Sequence, residues 1–318
     1  MNERLHLSPN QRAWRRFRRN RGAAVALLVL LGLMALVLLW PLCRVAPATA
    51  VLPKAMTHLP DATSDTLFAP PTWEHWFGTD AHGRDLLSRV CHGARISLLV
   101  GLVGAAVSLV IGVLWGAVAG YGGGRLDSVM MRIVDVLYAM PTVVFVIVLV
   151  TAINAKLEKW QSGPHPLSDE SARWLQMAGL FAGLGAVSWL TMARIVRGQV
   201  FSLRRRPFID ASLVLGASHA RIIWRHILPN VYGVIIVYLT LMVPSIILYE
   251  SFLSYLGLGI QPPQASLGSL MASGAEQINP IRIYWWLIVF PGAALAVTLM
   301  ALTFVGDGLR DAFDPKSD

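Results

Sequence analysis

The sequence predicts an all-α membrane protein with six transmembrane helices and both termini in the cytoplasm. Of its 318 residues, 55% are hydrophobic and only 14% are charged, a balance typical of a multi-spanning membrane protein. Apolar runs long enough to cross a bilayer recur along the chain, whereas the alternating pattern of a membrane β-barrel does not appear. Because backbone groups in hydrocarbon must satisfy their own hydrogen bonds, these runs are predicted to be helices.

The placement of the basic residues sets the predicted orientation. A net charge of +9 and an isoelectric point near 10.1 would indicate nucleic-acid binding in a soluble chain. Here the Lys and Arg residues flank apolar runs, so no nucleic-acid partner is expected. Eighteen of them fall on the side of the termini and nine on the other side, and basic residues concentrate in cytoplasmic loops.

The chain begins with a basic segment, residues 1–22, which carries seven arginines and is predicted to be cytoplasmic. The first span is predicted over 23–42, because eighteen residues from Ala23 to Trp40 carry no charge. This run exceeds the apolar region of a usual signal peptide, but the Ala-Thr-Ala sequence at 48–50 resembles a cleavage site and leaves cleavage as the alternative. An outer loop is predicted over 43–95.

The remaining core, residues 96–305, holds five further spans and one long polar loop. The five spans are predicted over 96–119, 129–152, 175–195, 231–256 and 283–305, the cytoplasmic loop over 196–230, and a cytoplasmic tail over 306–318.

Two features of the spans predict how the helices pack and bend. The second span carries glycines at GxxxG spacing, Gly112, Gly116 and Gly120, which allow another helix to approach closely. Pro141 lies within the third span, where a missing backbone donor invites a bend.

The loop over 196–230 carries the signals of two short helices. Pro207 suits the first position of a helix, and Gly216 suits the left-handed residue that ends one. A second helix is predicted from His219 to a stop before Pro229. One face of the first helix is apolar or small and comprises Phe208, Ala211, Ser212 and Leu215. Such a face fits either a groove in a partner or the membrane surface.

Residues that could carry chemistry are sparse. The sequence holds no phosphate-binding loop, zinc-protease motif, nucleophile elbow, haem motif or iron–sulfur motif, so we expect no catalysis, cofactor or metal in this chain. Cys43 and Cys91 lack the spacing of a metal site, and their predicted outer location allows a disulfide as a hypothesis. Arg132 and Asp135 are interpreted as a structural ion pair rather than a proton relay.

Glu250 follows nineteen largely apolar residues and is therefore predicted at the outer boundary of the membrane. Two interpretations remain open for it: a side chain that lines an outer gate, or one solvated at the membrane interface.

Six sequence blocks extend through nearly the whole chain. They are FGTDAHGRDLLSRV from Phe77, GARISLLVG from Gly93, SVMMRIVDVL from Ser128, VSWLTMARIVRGQ from Val187, ESFLSYLGLG from Glu250 and GDGLRDAFDP from Gly306. Together they resemble the C-type permease subunits of bacterial ABC importers for oligopeptides and dipeptides. The cytoplasmic loop resembles the EAA motif of that family, with Asp210 in place of the usual Glu and Ser212 in place of the second Ala.

The resemblance implies the type I ABC importer permease fold, a bacterial inner-membrane location and a role in ATP-driven peptide import. It implies coupling to ATPase subunits through Phe208, Asp210, Ala211, Ser212, Leu215, Gly216, Ile227, Leu228 and Pro229. The candidates for an outer gate or for contact with a binding protein are Asp80, Gly83, Arg84, Asp85, Glu250, Gly257, Gly259 and Gly268. A purely structural outer cap is the alternative role for this second set.

The implied partners are a second permease subunit, two ATPase subunits that use ATP and Mg, and a peptide-binding protein. Import of nickel or antimicrobial peptides through the same architecture is an alternative, and so is, from a different class, an ion-coupled secondary transporter.

Overall fold

The computed structural model of the chain describes residues 9–44, 53, 56–162, 168–260, 262 and 264–313. The possible cleavage sequence at 48–50 lies outside these residues, as does the side chain of Cys43. The cleavage alternative and the disulfide therefore stay predictions. Cys91 is buried in a cluster with Trp40 and Leu87.

The described part of the chain is built from eleven α-helices. They are α1 (Pro9–Arg19), α2 (Arg21–Leu39), α3 (Leu86–Gly122), α4 (Gly124–Ala139), α5 (Thr142–Gln161), α6 (Asp169–Leu203), α7 (Pro207–Val214), α8 (His219–Ile222), α9 (Leu228–Tyr255), α10 (Leu267–Glu276) and α11 (Trp286–Phe313). Within the described residues the strand-like pairing is an isolated antiparallel bridge between Thr79 and Asp85.

Among the residues that the structure describes, five helical stretches are long and apolar enough to cross a membrane, and a sixth arises if one bent pair counts as a single span. The five are Arg21–Leu42, Leu86–Gly122, Met177–Leu203, His219–Tyr255 and Trp286–Phe313.

The bent pair is α4 and α5, which meet at 90° where the third span, 129–152, was predicted. Met140 lies between them in an extended conformation, with φ −78° and ψ 137°. The ring of Pro141 disfavours helical geometry at the residue before it, which explains why the helix breaks here.

Helix α3 begins at Leu86, inside the predicted outer loop 43–95. Its start is capped by Asp85, whose Oδ2 accepts a hydrogen bond from the Ser88 backbone N–H at 2.8 Å. The cap satisfies a donor at the helix end, and the helix begins before the predicted span 96–119.

Helices α6 and α11 also extend past the apolar runs. Helix α6 reaches Leu203, within the predicted cytoplasmic loop 196–230, and α11 reaches Phe313, within the predicted tail 306–318. Hydropathy marks the part of a helix that meets hydrocarbon, whereas helical hydrogen bonding continues into water.

The predicted helix stop before Pro229 is wrong, because one helical stretch runs from His219 to Tyr255. The residues just before the proline, Ile223–Ile227, form a π-helical turn, in which the Leu228 N–H donates to the carbonyl of Ile223. Proline in a regular α-helix clashes with the carbonyl four residues earlier. The wider π turn displaces the carbonyls of this stretch, so the helix passes the proline without ending.

The chain divides into two compact units, one of residues 1–23, 102–246 and 306–318 and one of residues 24–101 and 247–305. In the first unit, α3 packs closely on α6. A Cβ added at Gly116 would lie 2.5 Å from the Ala193 carbonyl oxygen, and one at Gly120 would lie 2.7 Å from that of Arg197. The GxxxG prediction for the second span is therefore confirmed as a helix contact.

Candidate functional site

Local features start and orient the short helix α7 in the predicted cytoplasmic loop 196–230. Arg206 is extended before it, with φ −84° and ψ 141°, and Pro207 takes the first helical position, where no N–H is needed. Asp210 lies in the first turn, where the helix dipole favours a negative charge. Ile209 is 1% exposed and so attaches the helix to the rest of the unit.

Gly216 ends α7 in the left-handed conformation, with φ +82°. The Ala217 N–H donates to the Ser212 carbonyl at 3.0 Å, and the Gly216 N–H donates to the Leu213 carbonyl at 2.9 Å. These two bonds form a Schellman cap, which requires a left-handed residue and therefore favours glycine. Ser218 then caps α8 by accepting from the Arg221 N–H.

Large apolar side chains are exposed at both ends of α7, Phe208 at its start and Val214 and Leu215 at its end. Leu215 is 87% exposed, Val214 is 88% exposed and Phe208 is 40% exposed. Asp210 and Ala211 are also exposed, whereas Ser212 is half-buried and donates its hydroxyl to the Phe208 carbonyl at 2.7 Å.

The other predicted coupling residues, Ile227, Leu228 and Pro229, differ from one another in burial. Pro229 is exposed, Leu228 is half-buried and Ile227 is fully buried, and all three lie within the helical stretch that runs from His219 to Tyr255. Val214 was missed by sequence reasoning, because it falls outside the predicted face of α7.

The ends of the loop are attached to the end of α3 by polar contacts. The Tyr121 hydroxyl hydrogen-bonds to Nδ1 of His219 at 2.8 Å. Arg204 donates to the Gly122 carbonyl at 3.1 Å. These partners are far apart in sequence and share no local motif, so sequence reasoning missed them.

Two ion pairs connect α4 to α6. Arg197 binds Asp127 through both oxygens of the carboxylate, with its Nε 2.9 Å from Oδ1. Arg194 binds Asp135 at 2.8 Å, which corrects the prediction that Asp135 pairs with Arg132. Arg194 also lies over the Tyr138 ring, 4.1 Å from its centroid. This second contact holds the guanidinium of α6 in place beside Asp135 of α4.

In the second unit, the GTDAHGRD segment forms a compact turn around the Asp80 carboxylate. Oδ1 accepts the backbone N–H groups of His82 and Arg84 at 2.8 and 3.0 Å, and Oδ2 accepts Nε of Arg84 at 2.8 Å and a further bond from Arg89. Burial by itself would raise the pKa of Asp80. The Arg84 backbone N–H and the Arg89 guanidinium outweigh it, so the pKa lies below its usual value.

Gly83 completes this turn with φ +69°. A Cβ there would lie 2.0 Å from the Ser64 carbonyl oxygen, so a larger residue has no room. Asp80, Gly83, Arg84 and Asp85 are thus brought together, and Asp80 and Asp85 are buried.

Glu250 is 0% exposed, and its carboxylate accepts hydrogen bonds from hydroxyl groups on two helices. Ser254 donates to Oε1 at 2.6 Å, and Ser97 of α3 donates to Oε2 at 3.0 Å. Ser97 also accepts the first backbone N–H of α10, from Leu267, at 3.3 Å. The carboxylate is therefore enclosed by protein rather than solvated at the interface, and it connects α3, α9 and the start of α10.

The three glycines predicted beside Glu250 take different positions. Gly268 lets α10 approach α9, because a Cβ there would lie 2.2 Å from the Ser251 carbonyl oxygen. Gly259 packs as closely on Ser254, whereas Gly257 ends α9 with φ +76° and open space around it. The role of this cluster and of the Asp80 turn as an outer gate or binding-protein contact stays a prediction.

Comparisons with known proteins cover nearly the whole length of the chain. Residues 112–318 match the family described as binding-protein-dependent transport system inner membrane component, and residues 8–71 match the N-terminal transmembrane domain of oligopeptide transport permease C. An oligopeptide transport system permease protein from Escherichia coli K12 is 45% identical over 96% of this chain and 91% of its own length.

Further relatives agree with this match. The oligopeptide transport system permease protein of Haemophilus influenzae is 42% identical over 96% of this chain and 88% of its own length. The dipeptide transport system permease protein of Bacillus subtilis is 41% identical over 99% of this chain and 88% of its own length.

The fold is similar to that of a chain in inward-facing crystal structures of the MetNI methionine ABC transporter. The TM-score is 0.52 at 17% sequence identity, over 71% of this chain and 97% of that chain. This likeness bears on the fold alone and confirms the predicted all-α permease fold. With the family match over 112–318 and the relatives above 40% identity, the chain belongs to the family of binding-protein-dependent transport system inner membrane components.

Proposed function

We propose that this chain forms one half of the pathway of an ATP-driven importer that moves peptides into the cytoplasm. The chain is an inner-membrane permease component and works in a transport complex with other subunits. Peptide is the proposed substrate because relatives over 40% identical are named oligopeptide and dipeptide transport permeases. The proposed partners are a second permease subunit, two ATPase subunits and a peptide-binding protein.

The observation that carries the coupling role is the apolar end of α7. Val214 and Leu215 are almost fully exposed at the end of a helix whose other side is anchored by the buried Ile209. On a predicted water-facing loop, the burial of such exposed apolar side chains by a partner is favourable. The proposed cover is a groove on an ATPase subunit.

Movement of the ATPase subunit would reach the spans through rigid connections on both sides of α7. Helix α6 leads directly into the loop, and the helical stretch that begins at His219 leads out of it without a break at Pro229. Nucleotide state and pathway state would then share a coupling free energy, which acts equally in both directions. In this scheme ATP and Mg are bound by the partner subunits.

The experiment is transport by the assembled complex in liposomes. Asp210→Lys reverses the charge at the start of α7, and Gly216→Pro cannot adopt the left-handed conformation of its cap. Both variants should insert in the membrane, lose peptide uptake and lose stimulation of ATP hydrolysis by the loaded binding protein. Asp210→Glu is the matched control and should retain both. Normal uptake in Asp210→Lys and Gly216→Pro would overturn the docking role.

The same liposomes distinguish the substrate alternatives. Labelled di- and oligopeptides should accumulate only when ATP and the binding protein are present. Uptake of nickel without any uptake of peptides would replace the proposed substrate. Uptake that continues without the ATPase subunits would instead favour an ion-coupled transporter.

A further inference from the structure

Three residues of the second unit lie together on the predicted outer side, and none of them was assigned a metal-binding role by sequence reasoning. They are His58, His75 and Asp85, and each offers a ligand atom that lies within 4.8 Å of the other two. The residues are 17 and 10 positions apart in sequence, so no short motif reveals them. We propose that they form a binding site for a divalent transition metal ion of the zinc type.

The chemistry of the three side chains supports this choice. Two imidazoles and one carboxylate are ligands that Zn²⁺, Cu²⁺ and Ni²⁺ accept, whereas Mg²⁺ and Ca²⁺ prefer oxygen ligands alone. Nδ1 of His75 lies 2.9 Å from Oδ1 of Asp85, and the His58 and His75 rings stack with centroids 4.6 Å apart. Three protein ligands leave further positions of the ion for water.

Two of the three ligands, Asp85 and His58, are held in place by contacts outside the cluster. Asp85 uses its other oxygen, Oδ2, to cap α3 through the Ser88 N–H, so its position is set by the start of a long helix. The Ser88 hydroxyl donates to the His58 carbonyl at 2.8 Å, which fixes the backbone of that histidine. Nε2 of His58 lies 3.2 Å from the Glu74 carbonyl oxygen, a contact that favours one ring orientation.

The present distances require a modest adjustment. Ligand atoms around a tetrahedral zinc ion at about 2.0–2.2 Å are on the order of 3.3 Å apart. Because the ligand atoms all lie within 4.8 Å of one another, a rotation or shift of an imidazole ring by at most about 1.5 Å brings them to this spacing. Both histidines are partly exposed, whereas Asp85 is buried, so the rings are the groups free to move.

A bound ion would connect three stretches of the outer segment that precedes α3. His58 belongs to the stretch after residue 56, His75 lies just before the GTDAHGRD turn, and Asp85 ends that turn. We therefore expect the ion to stabilise the outer segment by linkage, since it binds the folded arrangement and not the unfolded chain. This role is independent of peptide transport and of the α7 contact.

The test uses the full chain, purified in detergent without a polyhistidine tag and stripped of metal with a chelator. ZnCl₂ should bind with one-to-one stoichiometry in isothermal titration and should raise the thermal unfolding temperature. His75→Gln should weaken zinc binding by at least about tenfold. MgCl₂ should not bind at the site. The matched control is His82→Gln, which changes an exposed histidine of the same segment that lies outside the cluster.

Two further variants keep the test decisive if His75→Gln disturbs folding. His58→Gln removes the other ring, and Asp85→Asn removes a charged ligand while an Asn can still cap α3. Elution as a single species and an unchanged metal-free unfolding temperature identify the variants that fold. Equal zinc binding by the wild type and by folded His58→Gln or His75→Gln would overturn the site, and so would an equal loss in His82→Gln.

Discussion

Asp80 organises the GTDAHGRD turn on the predicted outer side, because its carboxylate accepts hydrogen bonds from two backbone N–H groups and two guanidinium groups. These donors favour the ionised form, which is why its pKa lies below the usual value. A carboxyl whose pKa is lowered by folding stabilises the protein at pH values above its ordinary pKa. That contribution is lost as the pH falls through the lowered value.

We expect Asp80→Asn to lower the thermal unfolding temperature at pH 7, and the difference from wild type to shrink below about pH 4. At low pH the wild-type carboxyl becomes protonated and loses the same charge-assisted bonds. Unfolding temperatures at pH 7, 5 and 3.5 measure this. Asp65→Asn, at an exposed position of the same segment, is the control. An unfolding-temperature difference that stays constant over this pH range would contradict the lowered pKa of Asp80.

Glu250 shows how a buried acceptor can position three helices. Replacement by Leu removes the acceptor and leaves the Ser97 and Ser254 hydroxyl groups without it, at a cost of about 1–3 kcal/mol for an unsatisfied buried group. Replacement by Gln keeps the volume and one acceptor oxygen. We therefore expect Glu250→Leu to lower the unfolding temperature more than Glu250→Gln does. Equal effects of the two variants would show that the hydroxyl contacts contribute little.

At the level of elements, the contact between α3 and α6 depends on the absence of side chains. A methyl group at Gly116 would overlap the Ala193 carbonyl, and the backbone cannot yield as a flexible side chain can. The π turn before Pro229 and the bend at Pro141 are two other places where backbone geometry decides the path of the chain. The helix continues past Pro229 after a widened turn, whereas Pro141 stands at the break between α4 and α5.

Gly116→Ala should destabilise the protein by about 1–3 kcal/mol through overpacking. Gly198→Ala, in the same pair of helices, meets nothing within 4 Å and should be neutral or stabilising by about 0.5–1 kcal/mol, because alanine favours helix. Thermal unfolding of the two variants in one detergent compares them directly. A loss of stability in Gly198→Ala as large as in Gly116→Ala would exclude the packing explanation.

For the whole molecule, the predicted orientation places the α7 loop in the cytoplasm and the segment before α3 outside. Val214 is 88% exposed in the former and Trp73 is 93% exposed in the latter, so both positions are accessible to a thiol reagent. In spheroplasts of cells that express a Cys43→Ser background without the ATPase subunits, an impermeant maleimide should label Trp73→Cys. The same reagent should label Val214→Cys only after the membrane is permeabilised. The reverse labelling pattern would show that the chain has the opposite orientation in the membrane.

The family assignment connects this orientation to transport. The matches extend over nearly the whole chain, so the membrane-length helices and the loops between them belong to one inner-membrane component. In the proposed complex the exposed ends of α7 would meet an ATPase subunit, and the outer turn would face the binding protein. The transport assay with Asp210 and Gly216 variants tests the first of these contacts.

The sequence by itself determined the fold class, the membrane-length runs, the Schellman glycine at 216 and the family. Each of these depends on local signals: apolar length, the conformations open to glycine and proline, and ordered sequence blocks. The bounds of the helices could not be predicted as well from the sequence, because a cap such as Asp85 lets a helix begin before the predicted apolar span.

Only the tertiary structure decided the partners of polar side chains. It paired Asp135 with Arg194 instead of Arg132, enclosed Glu250 with the Ser97 hydroxyl, and brought His58 next to His75. Sequence spacing describes neighbours on one helix, but the energy of a charged or polar group depends on which other chain segment removes it from water. That choice is made when helices pack, and for this reason it could not be derived from the order of the residues.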